Sequence, residues 1–191
     1  MSPQRSNRSN LIEGTLRCLE RLPPERVTAR AIAGESAANL ASIAYHFGSK
    51  DELVTEAVIV GLDRWLEEIA NGLDGLSDAE PSARLRRAGQ VIDATRTRHA
   101  GLARNFLTAL ARAQHDQEVR KLLAAGFRRT RPTIAALLGL GSDQAGADAG
   151  GLLHSQFIGL LFQALLDPGL AIEGERMDRA QSRLREALPV G

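Results

Sequence analysis

A short polar segment, residues 39–46, carries side chains suited to contact with a nucleic acid. The residues expected to face outward are Asn39, Leu40, Ala41, Ser42, Tyr45 and His46. The hydroxyl of Tyr45 and the ring of His46 can donate hydrogen bonds to phosphate oxygens, which fixes register on DNA but does not read sequence. Small side chains such as Ala41 and Ser42 would let a helix lie deep in a major groove. The segment therefore predicts a helix that contacts DNA.

The preceding residues predict a second short helix and a tight corner. Thr28 is a good N-cap, because its hydroxyl can accept a backbone N–H left unpaired at a helix start. Ile32 and Ala33 supply an apolar face, and residues 34–38 are mostly small. Two helices that cross near a right angle bring their backbones close together, which small residues permit. Asn39 then offers a second N-cap.

The end of the second helix and the start of the next are also marked. Ile43 and Phe47 share one side at i, i+4 and should hold the helix to its own domain. Gly48 follows as a C′ residue would. Ser49, with Glu52 three residues later, resembles a capping box. Lys50 sits at the helix start, where the helix dipole disfavours a cation, and a phosphate partner would explain it.

These residues give the segment the appearance of a known family. It resembles the DNA-binding domain of TetR/AcrR-type transcriptional regulators, through Thr28, Ile32-Ala33, Tyr45-His46-Phe47, Ser49-Lys50 and Glu52-Leu53. Two positions depart from that pattern: Ala37 replaces the usual Gly of the turn, and Ala44 replaces the first Tyr of a frequent Tyr-Tyr pair. We expect Ala37 to fit the turn with a negative φ.

The expected DNA-binding residues combine the outward face with both helix starts. They are Thr28, Ala29, Arg30, Ala38, Asn39, Leu40, Ala41, Ser42, Tyr45, His46 and Lys50. Simpler interpretations remain open for four of them. Tyr45 could be half-buried packing, His46 an ordinary surface residue, and Lys50 and Arg30 solvated charges.

Charge and composition fit this interpretation. The 191 residues are 43% hydrophobic and 25% charged, with a formal net charge of +1, which allows an ordinary globular core. Residues 1–50 hold seven basic and four acidic residues, a net charge of +3, so the remaining 141 residues carry −2. The positive excess lies where phosphate binding requires it.

The remaining composition bears on location. The N-terminus is polar and lacks the apolar core of a secretory signal, and no apolar run approaches the roughly 20 residues that cross a bilayer. Cys18 is the one cysteine, which excludes an intrachain disulfide and fits a reducing cytosol. It is expected to be a small buried residue. A cytoplasmic protein is predicted. Residues 1–8 are expected to be disordered, with Arg5 and Arg8 either a loose tail or an arm that reaches DNA.

The rest of the chain predicts an all-α body, since strand-like alternation is absent. About nine helices are expected, with a DNA-binding domain at 1–50, a connecting helix at 50–70 and a regulatory and dimerisation domain at 51–191. The fifth helix is expected at 82–99. Asp116 should cap the seventh helix, and Pro132 should kink it. Residues 139–151, rich in Gly, Ala and Asp, are expected to be a flexible connector, followed by a very apolar helix at 152–166. A last amphipathic helix is expected at about 173–188, with Leu188 turned inward.

The body is expected to hold a partner subunit and a small molecule. The eighth helix is apolar over much of its circumference and needs cover on two sides, which suggests a homodimer interface or ordinary core packing. The expected interface residues are Phe157, Leu160, Leu161, Ala164 and Leu184. The family resemblance implies a pocket among the middle helices, for which Trp65, His99, Phe106, Phe127 and Gln156 are candidates. Aromatic residues at helical spacing are, however, more often core.

Two functions remain at this stage. The first is a homodimeric DNA-binding regulator, a repressor of a palindromic operator that a small-molecule effector releases. The second is a helical small-molecule-binding protein or enzyme with a degenerate DNA-binding head. No catalytic residue, metal site or cofactor is predicted, because the sequence contains no His-Glu-x-x-His or Cys-x-x-Cys pattern.

Overall fold

Helices make up almost all of the chain that the structure describes. The structure is a computed structural model and describes residues 7–187. Within them it has nine α-helices and no strand, as the all-α prediction requires. The helices are α1 (Asn7–Arg21), α2 (Ala29–Ser36), α3 (Ala41–Phe47), α4 (Lys50–Asn71), α5 (Pro81–Thr95), α6 (Ala100–Arg112), α7 (Gln117–Leu138), α8 (Gln144–Leu166) and α9 (Gly174–Ala187). Single 3-10 turns lie at Pro24–Arg26 and Pro168–Leu170.

The chain divides into two compact units. The first comprises Met1–Glu68 and Arg98–Thr130, and the second comprises Ile69–Thr97 and Arg131–Gly191. The predicted DNA-binding segment, 1–50, thus shares its unit with most of α4, with α6 and with the first part of α7. The division at residue 50 remains a prediction about which part of the chain acts as a separate domain.

The core of the first unit is built around α1 and α4. It includes large buried side chains from α1, α2, α3, α4 and α6, which are Leu11, Leu19, Ile32, Ile43, Leu53, Val58, Trp65 and Phe106. Helices α1 and α2 meet at Gly14, where an added Cβ would lie 2.1 Å from Ser36 Oγ. Cys18 is buried, as predicted, and burial raises the pKa of its thiol.

The second unit corrects the prediction for residues 139–151. The prediction of a flexible connector is wrong for residues 144–151, because α8 begins at Gln144. Asp143 caps this helix by accepting a hydrogen bond from Gly146 N at 2.9 Å. Residues 139–143 do connect α7 to α8. Gly146 and Gly150 are buried inside the helix. A Cβ at Gly150 would lie 2.4 Å from the carbonyl oxygen of Arg131 in α7. Glycine is present here because two helix backbones approach closely.

The length of α8 bears on the expectation that no apolar run approaches the length needed to cross a bilayer. Among the described residues, this helix is long and apolar enough, by length and composition, to cross a membrane. Only 17% of its most apolar window is buried within the chain. Leu152 and Leu166 are 74% and 83% exposed. Helix α8 therefore presents apolar surface that its own chain leaves uncovered.

The ends of the body helices differ from prediction by a few residues. Helix α5 ends at Thr95, where a continuation to residue 99 was expected. Asp116 caps α7 as predicted, and its Oδ1 accepts from the backbone N–H groups of Glu118 and Val119. Pro132 lies inside α7. Leu188 lies outside the described residues, so its inward placement stays a prediction.

Candidate DNA-binding surface

Helix α2 and the corner after it form the first half of a helix-turn-helix. Thr28 caps α2 as predicted, with its Oγ1 accepting from Ala31 N at 3.1 Å. After Ser36 the chain turns at Ala37, whose φ of +50° is left-handed. The expectation of a negative φ is therefore wrong. The left-handed residue lets the N–H of Ala38 reach the carbonyl of Ala33 at 3.0 Å, which closes the helix end.

Helix α3 is fixed at its start and on its inner side. Asn39 Oδ1 accepts from Ala41 N at 3.0 Å, so the predicted cap is present. Ile43 and Phe47 are buried, at 3% and 6% exposure. Gly48, with a φ of +79°, ends the helix and bonds back to the carbonyl of Ala44 at 3.0 Å. These contacts hold a helix of seven residues in one orientation.

The opposite side of α3 is open to solvent. Tyr45 is 84% exposed and Leu40 is 48% exposed. Ala41 and Ala44 are exposed as well, whereas Ser42 and His46 are half-buried. We call Leu40, Ala41, Ala44 and Tyr45 the outward face of α3. Half-burial of Tyr45 by its own chain, the alternative considered from the sequence, does not occur.

Sequence reasoning missed one member of this face. Ala44 was not among the predicted DNA-binding residues, although its side chain is exposed next to Tyr45 in the sequence. The signal was available, because Ala44 lies three residues after Ala41 and so shares its side of a helix. The His46 ring packs edge-on against Tyr45, with ring centroids 4.8 Å apart. The two rings therefore lie together at the surface of α3.

The other expected contacts lie at the two helix starts. Ala29 and Ala38 are half-buried, and Asn39, Thr28 and Arg30 are exposed. Ser49 and Glu52 form the predicted capping pair, with Glu52 N donating to Ser49 Oγ at 3.1 Å. Lys50 begins α4 and its Nζ lies 2.8 Å from Asp51 Oδ1. Lys50 is therefore already paired with a carboxylate of its own chain.

Ion pairs reduce the number of cations available on this unit. Arg17 Nε lies 2.7 Å from Glu35 Oε1, and Arg21 approaches the same carboxylate at 3.7 Å. Arg8 pairs with Glu56 and its guanidinium lies 5.0 Å from the centre of the Phe47 ring. Arg26 and Arg30 are exposed and form no ion pair among the described residues.

The placement of Arg8 corrects the expected arm. Helix α1 begins at Asn7, so Arg8 belongs to a helix and is not part of a disordered stretch over 1–8. Arg5 lies outside the described residues. The arm hypothesis is therefore wrong for Arg8.

The expected ligand residues do not assemble into one pocket within a unit. Trp65 and Phe106 are buried core residues of the first unit, at 2% and 3% exposure. The Trp65 ring lies 4.6 Å from that of His99, and Phe106 lies 6.1 Å from Phe127. Gln156 belongs to the second unit, where its Nε2 lies 3.8 Å from Met177 Sδ. Trp65 and Phe106 therefore fit the alternative considered from the sequence, in which these aromatic residues belong to the packed core.

The expected dimer residues divide by exposure. Leu161 is buried at 5% exposure inside its own unit, so it is not available to a partner. Phe157, Leu160 and Ala164 are half-buried, and Leu184 is 54% exposed. Among the described residues, no three His, Cys, Asp or Glu side chains are grouped as a metal site would need.

Comparison with known proteins decides the family. The sequence model of bacterial regulatory proteins of the tetR family matches residues 11–57, which include α2, α3 and the start of α4. The HTH-type nicotine-responsive transcriptional repressor HdnoR of Paenarthrobacter nicotinovorans is 30% identical over 146 residues, which cover 68% of this chain and 73% of that protein. This chain belongs to the TetR family. As a TetR-family member it is a DNA-binding transcriptional regulator.

Solved structures of similar fold match most or all of the chain. The multidrug binding protein EbrR, complexed with imidazole, has a TM-score of 0.67 and 23% identity, covering 100% of this chain and 98% of its own. A transcriptional regulator of Saccharomonospora viridis in complex with choline has a TM-score of 0.60 and 22% identity, covering 86% and 88%. In a family of DNA-binding regulators, the apolar length of α8 does not indicate a membrane protein.

Proposed function

We propose that this TetR-family regulator is a homodimeric repressor that binds a palindromic operator through the outward face of α3. The observation that carries the proposal is the two-sided character of α3, with Ile43 and Phe47 buried and Tyr45 84% exposed. A helix held on one side and open on the other is what entry into a major groove requires. The repressor named among its relatives, HdnoR, supports the direction of regulation.

The side chains divide into two tasks on DNA. Tyr45, His46, Arg30 and Lys50 carry donors or positive charge for phosphate oxygens, which set position. Leu40, Ala41 and Ser42, at the start of α3, are the side chains placed for base edges. An apolar side chain such as Leu40 favours the methyl group of thymine in the major groove.

Two copies would place two such helices on one face of DNA. Half-sites one helical turn apart have centres separated by about 34–36 Å. The partner surface proposed is the uncovered side of α8 and α9, which includes Phe157, Leu160, Ala164 and Leu184. Exposed apolar surface on α8 supports this, because a monomer would leave Leu152 and Leu166 in water.

We further propose that a small organic molecule releases the repressor from its operator. The name of HdnoR describes a nicotine-responsive protein, and nicotine is therefore the first probe to try. Such an effector lowers operator affinity only if it binds the DNA-free state more tightly than the DNA-bound state. By reciprocity, the operator must lower effector affinity by the same factor. A cytoplasmic location goes with this function.

Selection from a random DNA pool tests the proposal. The full chain is incubated with random duplexes, bound fragments are sequenced, and the affinity for the recovered site is measured from 50 to 300 mM salt, about the range over which phosphate contacts are resolved. We expect an inverted repeat whose affinity falls steeply with salt. Recovery of no shared sequence would overturn the proposal and favour the helical binding protein or enzyme with a degenerate head.

A further inference from the structure

Lys50, the cation nearest to α3 in sequence, shares the carboxylate of Asp51 with a second cation. It is the first residue of α4, and Asp51 and Glu52 occupy the same turn. Lys50 Nζ is bonded to Asp51 Oδ1 at 2.8 Å, and about a third of each side chain is exposed. A phosphate that approaches this helix start must therefore compete with the Asp51 carboxylate for the ammonium group of Lys50.

The second oxygen of that carboxylate is held from another helix. Arg112, the last residue of α6, donates from Nη1 to Asp51 Oδ2. The other terminal nitrogen of Arg112, Nη2, lies 3.3 Å from Asp116 Oδ2, which belongs to the residue that caps α7. Charges alternate along the row from Lys50 to Asp116. The two oxygens of Asp51 are thus divided between one cation on the DNA side and one on the body side.

The balance of these pairs bears on how tightly Lys50 is held. Burial by itself would raise the pKa of Asp51, but the hydrogen bonds from Lys50 and Arg112 hold that pKa below its ordinary value. The carboxylate is therefore ionised at neutral pH. A shallow, partly open cleft is lined by Lys50, Asp51 and Arg112, so the row borders solvent. Lys50, Asp51 and Arg112 are each about one third exposed, so none of these ion pairs is enclosed in the core.

We propose that Arg112 is a positioning residue for DNA binding, which occupies half of the Asp51 carboxylate and so leaves Lys50 free to exchange that carboxylate for a DNA phosphate. The inference rests on the proposed function, since it needs an operator. Without Arg112, Asp51 keeps Lys50 as its remaining close cation and withholds it from DNA. Arg112 itself need not touch DNA.

The slope of affinity against salt separates this role from a structural one. Each phosphate contact contributes about 0.9 to the slope of log affinity against log salt. We expect Arg112→Gln to lower that slope by about 0.9 per subunit and to weaken binding by roughly eightfold per subunit at 0.1 M salt. Arg104→Gln is the matched control, because Arg104 is an exposed cation of the same helix with no ion pair among the described residues. It should leave the slope unchanged.

A cycle of variants tests the route through Asp51. Asp51→Asn should raise affinity, and Arg112→Gln added to Asp51→Asn should no longer lower the slope. In a Lys50→Gln background, Asp51→Asn should have no effect on the slope. This last comparison tests the link between Asp51 and Lys50 even if Arg112→Gln folds poorly. Thermal unfolding identifies such a failure, and Arg112→Lys, which keeps a cation beside Asp51, should then retain the wild-type slope.

Three results would overturn the proposal. One is a uniform loss of affinity in Arg112→Gln at an unchanged slope, which a merely structural role predicts. Another is an equal effect of Arg104→Gln. The third is a persistent Asp51→Asn effect without Lys50. Each leaves the operator and hence the proposed function intact, whereas a wild-type protein that selects no operator would refute both.

Discussion

A single hydroxyl distinguishes Tyr45 from phenylalanine, and the proposed function gives that hydroxyl one task. The side chain is 84% exposed, so Tyr45→Phe removes a donor without disturbing the core. We expect operator affinity to fall by a factor of about 2 to 10 for each subunit, which corresponds to one hydrogen bond of about 0.5–1.5 kcal/mol. Because the partner is phosphate, the loss should be similar at every site.

Leu40→Ala, measured in the same binding assay, should differ from Tyr45→Phe because its effect should depend on the DNA sequence. It should lower affinity for operators with thymine at one position and have little effect when that thymine is replaced by uracil, which lacks the methyl group. A change of base preference in Tyr45→Phe would show that Tyr45 reads bases and that the division of tasks along α3 is wrong.

Ala37 holds the left-handed turn at a measurable cost. Its φ of +50° is a conformation that glycine adopts more readily than alanine. We expect Ala37→Gly to raise the free energy of unfolding by up to about 1 kcal/mol, after the greater freedom of glycine in the unfolded chain is subtracted. Chemical denaturation measures the difference. Ala44→Gly, in the middle of α3, should instead lower the free energy of unfolding by about 1 kcal/mol.

At the scale of elements, sequence patterns succeeded where one residue determines one local bond. Thr28, Asn39 and Asp116 were predicted as caps, and each accepts the expected backbone N–H. Gly48 was predicted as a helix end and has the positive φ that this position requires. The burial of Ile43 and Phe47 followed from their spacing. These features are local, so the sequence contains the information that they need.

The errors arose where tertiary packing decides. Glycines before residue 152 indicated a loop, but the close approach of Gly150 to the Arg131 carbonyl requires a small residue inside a helix. The left-handed φ of Ala37 follows from the hydrogen bonds that close the corner, and alanine alone does not signal it. Trp65 and Phe106 are buried, which the sequence allowed as the alternative to a pocket, and their role in ligand binding stays a prediction.

The packing of α8 leads to a direct comparison between two glycines of that helix. At Gly150 a Cβ would clash with backbone, whereas at Gly159 no atom lies within 4 Å of the added carbon. We expect Gly150→Ala to lower the free energy of unfolding by about 1–3 kcal/mol through overpacking. Gly159→Ala should raise it by up to about 1 kcal/mol through helix propensity. Equal effects of both variants in thermal denaturation would contradict the close crossing of α7 and α8.

The contact between α5 and the start of α9 predicts a pH effect. Burial, followed by repulsion from Glu173, raises the pKa of Asp93, so folding favours the protonated carboxyl. Its contribution to stability is present at low pH and declines as pH rises through the raised pKa. Asp93→Asn should therefore raise the free energy of unfolding at pH 7 and have little effect near pH 3, about a unit below the ordinary pKa. A stability difference that is independent of pH would contradict this assignment.

At the scale of the whole molecule, the uncovered apolar side of α8 and α9 is the surface proposed to bind a second copy of the chain. Leu166 is 83% exposed and Leu184 is 54% exposed, and neither is explained by packing within the chain. Leu166→Asp and Leu184→Asp place a charge on the proposed partner surface, which should convert a dimer into monomers in sedimentation experiments. Leu107→Asp is the control, because Leu107 is a 38% exposed leucine on α6, outside that surface.

Loss of the dimer should then appear in DNA binding. A dimer gains affinity for a palindrome because the second half-site binds at high effective concentration, an advantage of about 10²–10⁴ over one head alone. The two Asp variants should lose that advantage on the palindrome yet bind an isolated half-site as the wild type does. If they remained dimers and kept full affinity, the partner surface would have to lie elsewhere. Loss of palindrome binding with half-site binding retained would place dimerisation on α8 and α9 and base contact outside them.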